Sequence, residues 1–563
     1  MKLASTACLH ITTLIIVAVS IAPWLNEQVL SIGLVNDNLT AIYHAHQIHA
    51  DGIGQLIRIN WARIPSLIPD YFIATAADQF GTTLAQKLTL SCLLQACLGI
   101  SSIYLLLRAS RSSPSNGLAS IALASYGSLL FLSSGFRQLA VVASLPVNHG
   151  GNYITTSFFL AWLVFFLFSA NKASSRVQVA TAIFAILSTF SNRLFLLTAL
   201  LPPLLICIAP IPQLRYRIEI PSLGPLIKNS MLGAMAGWLL YLVSPHQCSD
   251  SLVGTTNLNA IGNVIRANQG AIIFLLIPCL SWIAVRTLIA PCNIATKTQN
   301  SKILFLGDSL LLMVCCSVLA YGWISRGEPD AIYLRYILTP IMLAPLLLSF
   351  SIIHYLPKTF THPSKLLKQV MTVSIISISA IAGINFSEAA ELKYRPLNAD
   401  RALLQAIPKM IKEHCDGPDC VILTSNPPFN ALRINMELEH SGVKALEISG
   451  HGDPLIFWMS RSDHYKDKSF HKKDPSRALL SSRIIATNQQ QISSLVSSLG
   501  KPIQSLPLDD PGTVLLIYSD SRSAHSKAVV FFKSQSQLPF CVPNSTRESL
   551  LRLRSLLQSI MKR

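Results

Sequence analysis

The chain has 563 residues, of which 51% are hydrophobic and only 13% are charged, and its mean hydropathy is +0.46. Soluble globular chains carry about 25% charged residues, so this composition excludes a disordered chain and a purely cytosolic enzyme. The 12 cysteines are too dilute for a small disulfide-stabilised scaffold. A formal charge of +18 would indicate a nucleic-acid partner in a soluble protein. In a membrane protein, Lys and Arg retained on the cytoplasmic side explain it, and no nucleic acid is expected.

Charge divides the chain into two parts. Residues 1–387 contain ten of the 27 acidic residues, and the remaining 17 lie in the last 176 residues. The boundary follows the last long apolar run, 371–386. We therefore predict a membrane domain over 1–387 and a soluble domain over 388–563.

The membrane domain contains eleven apolar stretches that approach the roughly 20 residues needed to span a bilayer. The N-terminal stretch is treated as a retained helix, because Pro23-Trp24 follows it where an interfacial anchor belongs. The expected fold is a polytopic α-helical membrane protein with about eleven transmembrane helices. The predicted spans are 4–23, 88–107, 117–134, 154–170, 177–191, 194–211, 229–244, 270–289, 303–324, 336–356 and 368–386.

Basic residues in the loops predict the orientation. With a cytoplasmic N-terminus, the inner segments hold fourteen Lys and Arg and the outer segments hold seven, which is the expected bias. An odd number of spans then places the soluble domain outside the cytoplasm. We expect a multi-pass protein of the plasma (inner) membrane, surrounded by membrane lipids.

The candidate chemistry lies in the one long outer loop of the membrane domain, 24–86. It contains five of the ten acidic residues, including Asp37, Asp51 and Asp70. Its first half predicts a helix that begins at Asp37 or Asn38 and ends at Gly52. The alternative role of Asp37 is to cap that helix.

A resemblance supports a chemical reading of this loop. An acidic residue after the first span, followed by a helix with Tyr43 and Ala45 and then by Gly52, resembles the first outer loop of GT-C-type membrane glycosyltransferases. The segment 333–340, Tyr-Leu-Arg-Tyr-Ile-Leu-Thr-Pro, is similar to an Arg-Tyr…Pro element that begins a late helix in several of those families. The usual acidic pair is here Asn36-Asp37, and the loop 135–153 contains no carboxylate.

The resemblance implies transfer of a sugar from a polyprenyl-phosphate donor to a cell-envelope glycan, lipid or protein acceptor on the outer face. Asp37 would be the general base, with Asp51 and Asp70 as second choices. Arg193, Arg326 and Arg335 would bind the leaving phosphate, because the Arg side chain binds phosphate through two parallel hydrogen bonds. Tyr336 and His149 complete the candidate substrate-binding residues. The alternative role of the outer arginines is to contact lipid headgroups.

Two further features invite a functional reading. His44, His46 and His49 with His149 could indicate a metal, yet His44 and His46 cannot share a helical face and no metal-binding motif accompanies them. No metal ligands are assigned, and dependence on a divalent metal stays open. Asp308 is an acid within a predicted span and so a functional candidate; the alternative is a carboxylate bonded to a structural partner.

The soluble part alternates predicted strands (420–424, 443–448, 483–486, 513–518 and 528–533) with predicted helices, which indicates a small extracytoplasmic α/β domain. Two other functions compete with the transferase. A transporter or flippase would favour paired halves and charges at mid-membrane depth. A catalytically inactive relative of the GT-C enzymes would anchor the outer domain for binding.

Overall fold

The computed structural model describes the helical part of the chain and a set of strand backbones. The described residues are 36–51, 65–110, 143–145, 150–167, 174–208, 223–244, 269–288, 298–324, 337–347 and 350, together with the strands 419–424, 443–447, 455–461, 504–507 and 514–518.

The described residues of the long loop 24–86 include two helices. Helix α1, Asn36–Asp51, agrees with the predicted helix to within two residues. A kinked segment, Leu67–Tyr71, in which the Ile68 backbone is extended, leads into helix α2, Phe72–Phe80. Helix α2 buries Ile73, Ala74 and Ala77, so the loop is packed structure and not only a connection.

Helix α3, Leu84–Ala109, begins with a reciprocal cap. The Thr83 side chain accepts from the backbone N–H of Gln86, and the Gln86 side chain accepts from the backbone N–H of Thr83. This capping box satisfies two backbone donors that a helix start otherwise leaves unpaired. Arg108 lies in the last turn, where a positive charge suits the helix dipole.

The remaining described helices follow the predicted spans. They are α4 (Gly150–Leu167), α5 (Ser175–Ser191), a π-helical turn (Leu196–Leu200) continuing into α6 (Leu201–Ile208), α7 (Leu223–Val243), α8 (Gln269–Leu288), α9 (Thr298–Ile324) and α10 (Leu338–Leu343). The break between α5 and the π-helical turn falls at the interruption that the sequence indicates. The predicted spans 4–23, 117–134 and 368–386 lie outside the described residues.

Two of the described helices are long and apolar enough to cross a membrane. They are Leu84–Ala109 and Lys302–Ala320, by length and composition. The total of eleven spans stays a prediction.

Helices α5 and α7 pack backbone against backbone. A Cβ at Gly233 would lie 2.4 Å from the Ala182 carbonyl oxygen, and one at Gly237 would lie 2.4 Å from the Ile186 carbonyl oxygen. Two glycines four residues apart form a small-xxx-small face, which lets membrane helices approach closely. An amide pair, Asn229 Nδ2 to Gln178 Oε1 at 3.0 Å, adds a polar contact to this interface.

We expect Gly237→Leu to separate α5 from α7, because its side chain would overlap the Ile186 carbonyl. Forcing bulk into a packed interface costs about 1–3 kcal/mol, and a backbone obstacle cannot rotate away. The measurement is the thermal midpoint of the detergent-solubilised protein. Leu239→Phe adds bulk to an exposed position of the same helix and should leave that midpoint unchanged; equal effects of the two changes would contradict the close packing.

Helices α5, α7 and α8 each present an apolar outward face. The residues on these faces recur every three or four positions and are 41–60% exposed: Val179 and Ile183 on α5, Leu232, Met235, Leu239 and Leu242 on α7, and Leu276, Leu280 and Ile283 on α8. Apolar helix faces of this kind are normally covered by other apolar groups.

The described strands form one five-stranded antiparallel sheet in the order β2-β3-β1-β5-β4. Their bounds are β1 Asp419–Thr424, β2 Val443–Glu447, β3 Leu455–Arg461, β4 Gln504–Pro507 and β5 Val514–Tyr518. Strands β1, β2 and β5 fall on segments predicted as strands, whereas β3 and β4 were not predicted. The helices predicted between the strands, and the strands predicted at 483–486 and 528–533, lie outside the described residues, so the α/β domain stays a prediction.

Candidate functional site

Asp70 places a buried carboxylate against the first turn of α4. The side chain belongs to a residue only 2% exposed. A Cβ at Gly151 would lie 2.9 Å from Asp70 Oδ2, 3.0 Å from Oδ1 and 2.6 Å from Pro69 Cδ, so only glycine fits there. The start of a helix carries unpaired N–H groups and partial positive charge. The Asp70 carboxylate therefore lies beside the positive end of the α4 dipole.

The segment that carries Asp70 is attached to the end of α5. The Ser66 backbone N–H donates to the Ser191 carbonyl at 2.9 Å, and the Ile68 N–H donates to Ser191 Oγ at 2.8 Å. Ser191 is the last residue of α5. The long outer loop, the end of α5 and the start of α4 thus meet at one end of the helical part.

Tyr71 joins this segment to α1. Its hydroxyl lies 2.5 Å from His44 Nδ1, and the two rings stack with centroids 5.8 Å apart. Burial lowers the pKa of His44 to about 4. Burial, followed by the nearby Asp70 charge, raises the pKa of Tyr71 well above its usual range. Both groups are therefore neutral at pH 7, and one hydrogen bond joins the Tyr71 hydroxyl and His44 Nδ1.

The low pKa of His44 predicts that the stability of the protein depends on pH. Because the folded-state pKa of His44 lies below its unfolded value of 6.5, its contribution is complete above that value and is lost as the pH falls toward 4. The free energy of unfolding should drop across this window by at most about 3 kcal/mol, at 1.36 kcal/mol per pKa unit. Unfolding in detergent at a series of pH values between 7 and 4 measures it.

His44→Gln is the matched variant, because glutamine can still form a hydrogen bond with Tyr71 and does not titrate. The difference in unfolding free energy between wild type and His44→Gln should shrink as the pH falls. The other histidines titrate in both proteins and cancel in that difference. Parallel pH profiles of the two proteins would contradict the assignment.

A second cluster surrounds Asp78 on α2. His46 Nδ1 lies 3.2 Å from Asp78 Oδ1, His49 Nδ1 lies 3.2 Å from Oδ2, and Lys87 Nζ of α3 lies 2.5 Å from Oδ1. Burial opposes ionisation of Asp78, but the hydrogen bonds from His46 and Lys87 and the Lys87 charge hold its pKa well below its usual range. The carboxylate is ionised and only accepts, so both imidazoles donate from Nδ1. Asp78 thereby ties α1 to α2 and α3.

His46 and His49 lie on one face of α1, and His44 does not share it with His46, as the spacing of these residues requires. His46 and His49 contact one carboxylate, whereas His44 contacts Tyr71. Within the described residues, no group of three or more His, Cys, Asp or Glu side chains is arranged to hold a metal ion.

Asn152 links the first turn of α4 to two other elements. Its Nδ2 donates to Thr198 Oγ1 at 3.2 Å and to Thr339 Oγ1 at 2.8 Å. Thr198 belongs to the π-helical turn Leu196–Leu200. Thr339 lies in α10 within the Tyr-Leu-Arg-Tyr-Ile-Leu-Thr-Pro segment. The arrangement brings that segment to the same turn of α4 that Asp70 contacts.

The predicted site residues divide by position. Asp70 lies in the site, and Arg193 is exposed two residues after Ser191, with its guanidinium 4.3 Å from the Tyr241 ring centroid. Positions 37 and 51 lie near the two ends of α1, and their side chains are outside the described set. The other four candidates, His149, Arg326, Arg335 and Tyr336, lie outside the described residues.

The structure describes residues that directly follow two of those candidates in the chain. His149 directly precedes Gly150, the first residue of α4. Tyr336 precedes Ile337 and α10, whose Thr339 contacts Asn152. The described neighbours Gly150 and Thr339 thus lie at the end of the bundle where Asp70 lies.

Sequence reasoning missed most of the buried partners. Tyr71, Asp78, Lys87 and Asn152 were not singled out. The paired spacing of His46 and His49 was a visible signal, but their partner Asp78 is about thirty positions further along the chain. Such a contact depends on how α1 packs against α2.

Asp308, the acid within α9, has structural partners. Trp282 Nε1 donates to Oδ1 at 3.0 Å, Arg286 Nε lies 3.1 Å from Oδ2, and an Arg286 terminal nitrogen lies 3.0 Å from Oδ2. Both partners belong to α8. The interpretation of Asp308 as a partner-bonded carboxylate is therefore the one that the geometry supports.

Comparison with known proteins adds no relative. Neither a protein-family model, nor a curated protein, nor a solved structure matches the chain. Functional argument therefore rests on the residues themselves.

Proposed function

We propose that this chain is a polytopic membrane glycosyltransferase that moves a sugar from a polyprenyl-phosphate donor to an acceptor on the outer face. One observation carries the proposal. The buried Asp70 of the long outer loop, the end of α5 that precedes Arg193, and the start of α4 meet at one end of the helical part. A site at helix ends can receive a lipid-linked donor from the bilayer and a polar acceptor from water.

The membrane setting is supported by two features. Two helices are long and apolar enough to cross a bilayer, and the outward faces of α5, α7 and α8 expose large apolar side chains in continuous stripes. Soluble monomers rarely expose contiguous apolar patches of more than a few hundred Å². Lipid tails around these helices would keep the apolar side chains out of water.

The outer face is supported by chain direction. In the topology predicted from the loop charges, the starts of α3, α4 and α10 and the end of α5 all lie on the side of loop 24–86. The contacts of Gly151 with Asp70, of Ser191 with Ile68 and of Thr339 with Asn152 connect the loop with the ends of α4, α5 and α10. The direction of the chain and the contacts thus agree.

The transfer step needs a base and a place for the leaving phosphate. The acceptor hydroxyl gives its proton to the base, its oxygen forms a bond to the anomeric carbon, and the bond from that carbon to the phosphate oxygen breaks with its electron pair. Asp37 is proposed as the base and Asp51 as the next choice. Because Asp70 is 2% exposed and packs on Gly151, it is better suited to hold the loop on α4.

Transfer by the purified full-length protein in nanodiscs tests the function. The donors are polyprenyl phosphates linked to radiolabelled glucose, galactose, mannose or arabinose, and the acceptor is an extract of the host cell envelope. We expect one donor to lose its label to the acceptor. Movement of an intact donor between leaflets without transfer would instead support the flippase.

Arg335 is proposed to bind the donor phosphate, and Arg335→Lys tests it because lysine keeps the charge but loses the two-pronged geometry. We expect donor affinity to fall by about tenfold, on the scale of one charge-assisted hydrogen bond. Binding of polyprenyl phosphate is the measurement. Arg215→Lys, in a predicted inner loop, is the control, and equal affinities of the two variants would contradict the phosphate role.

A further inference from the structure

Helices α5 and α7 run parallel to each other in a fixed register. Three close approaches define it, each four residues further along both helices: Gln178 with Asn229, Ala182 with Gly233, and Ile186 with Gly237. By this register, Lys228 of α7 is level with Val177, the residue after Arg176 of α5. Arg176 and Lys228 are both exposed. Two positive charges therefore lie at one level near the start of the two helices.

An apolar stripe continues from each of these basic residues along its own helix. Positions three, four and seven residues apart share a helical face. The residues on these faces are Val179 and Ile183 after Arg176, and Leu232, Met235, Leu239 and Leu242 after Lys228. Each of these apolar side chains belongs to a residue that is 49–60% exposed. Each helix thus presents one outward cation followed by outward apolar groups.

The two stripes lie on the same side of the helix pair. The three close approaches fix the rotation of each helix about its own axis. Because both helices run in the same direction, a turn of about 100° per residue brings the two stripes onto one side. An apolar surface two helices wide therefore extends from a pair of positive charges.

The charges and the apolar stripes together specify what covers this surface. An anionic group with two apolar chains would match the two cations and the two stripes. Arg176 also lies in the first turn of α5, where a positive charge is unfavourable to the helix dipole and a bound anion would offset it. A second copy of this chain, docked here with two-fold symmetry, would bring the same basic residues of both copies to one depth, and like charges repel.

We propose that Arg176 and Lys228 bind the headgroup phosphate of an anionic phospholipid whose two acyl chains lie along the stripes of α5 and α7. The guanidinium group can donate two parallel hydrogen bonds to the phosphate, and the ammonium group adds a point charge. In the predicted topology both helices start on the inner side, so the lipid belongs to the inner leaflet. This inference rests on the proposed membrane setting and is independent of sugar transfer. The bound lipid bridges α5 and α7 and stabilises their contact.

Equilibrium lipid binding by the full-length protein in an uncharged detergent tests the site. The probes are dioleoyl phosphatidylglycerol, dioleoyl phosphatidylcholine and soluble glycerol phosphate, and the rise of the thermal midpoint with ligand concentration gives each dissociation constant. Wild type should bind phosphatidylglycerol about thirtyfold more tightly than phosphatidylcholine, since each Lys or Arg near an anionic headgroup contributes about fivefold. Lys228→Gln should lose about fivefold of the affinity for phosphatidylglycerol, and Arg176→Gln with Lys228→Gln about thirtyfold. Both variants should keep the wild-type affinity for phosphatidylcholine.

Arg108→Gln is the matched control for Lys228→Gln. Arg108 is exposed at the predicted inner end of α3, but the exposed Ser101 interrupts the apolar groups on that face. This variant should keep the wild-type preference for phosphatidylglycerol. Equal wild-type affinity for the two lipids, or equal losses in Arg108→Gln and Lys228→Gln, would overturn the proposal. Glycerol phosphate that binds as tightly as phosphatidylglycerol would show a site for free phosphate and overturn it. A dimeric wild type that binds neither lipid would overturn it too, because a second copy would then cover the stripes.

Discussion

Asp37→Asn is expected to abolish sugar transfer while expression and membrane insertion stay normal. Position 37 lies in the first turn of α1, two helical turns before His44 and on the same face. His44 in turn contacts Tyr71, the neighbour of Asp70. Removing a general base lowers a rate by about 10²–10⁴-fold. The measurement is transfer from the best lipid-linked donor found for the wild type.

The same substitution separates the base from a helix cap. Asparagine caps a helix about as well as aspartate, so the thermal midpoint should not change if Asp37 also caps α1. Asp51→Asn, at the other end of α1, tests the second candidate base, and it should retain transfer if Asp37 is the base. If Asp37→Asn transfers sugar at nearly the wild-type rate, Asp37 is not the base and only caps the helix. Asp51 and Asp70 would then be the carboxylates to test.

Asp308→Ala is expected to destabilise the protein strongly without a matching loss of donor affinity. The change leaves the Arg286 guanidinium, whose side chain is 14% exposed, without its carboxylate. Breaking a buried ion pair by removing one partner costs about 3–5 kcal/mol. The Trp282 indole N–H also loses its acceptor. Thermal unfolding in detergent and equilibrium binding of the donor are the two measurements.

The control for this prediction is the double variant. Replacing both partners, Asp308→Leu with Arg286→Met, removes the pair and leaves no buried charge, so it should recover much of the lost stability. A single Asp308→Ala variant that is as stable as wild type, yet does not bind donor, would show that Asp308 serves the substrate and not the α8–α9 contact.

Several features of the structure were predictable because they depend on local order in the chain. Helix α1 was expected to within two residues, since the polar start at Asp37 or Asn38 and the stop at Gly52 are visible in the chain. The break after Ser191 was also visible, because polar residues interrupt an apolar run there. The candidate Asp70 was identified for the same reason, as an acid in the one long outer loop.

Other features depend on which helices face each other, and no local pattern contains that information. The Gly233 and Gly237 face was not recognised, because glycines four residues apart matter only when a second backbone lies against them. The same holds for Gly151, which is explained only by the Asp70 carboxylate beside it. The number of spans and the α/β character of the soluble part remain sequence predictions.

The sequence by itself determined the apolar character of the chain, the helical periodicity of its first part and the long loop 24–86 in which five of the acids collect. These properties depend only on residues that are close in the chain, so they can be predicted without knowledge of the packing. Only the tertiary structure decided the partners: Tyr71 with His44, Asp78 with two histidines and Lys87, and Asn152 with Thr198 and Thr339. Each of these contacts joins residues that are distant in the chain. Their geometry is set by the burial of apolar helix faces elsewhere, which brings the polar groups together.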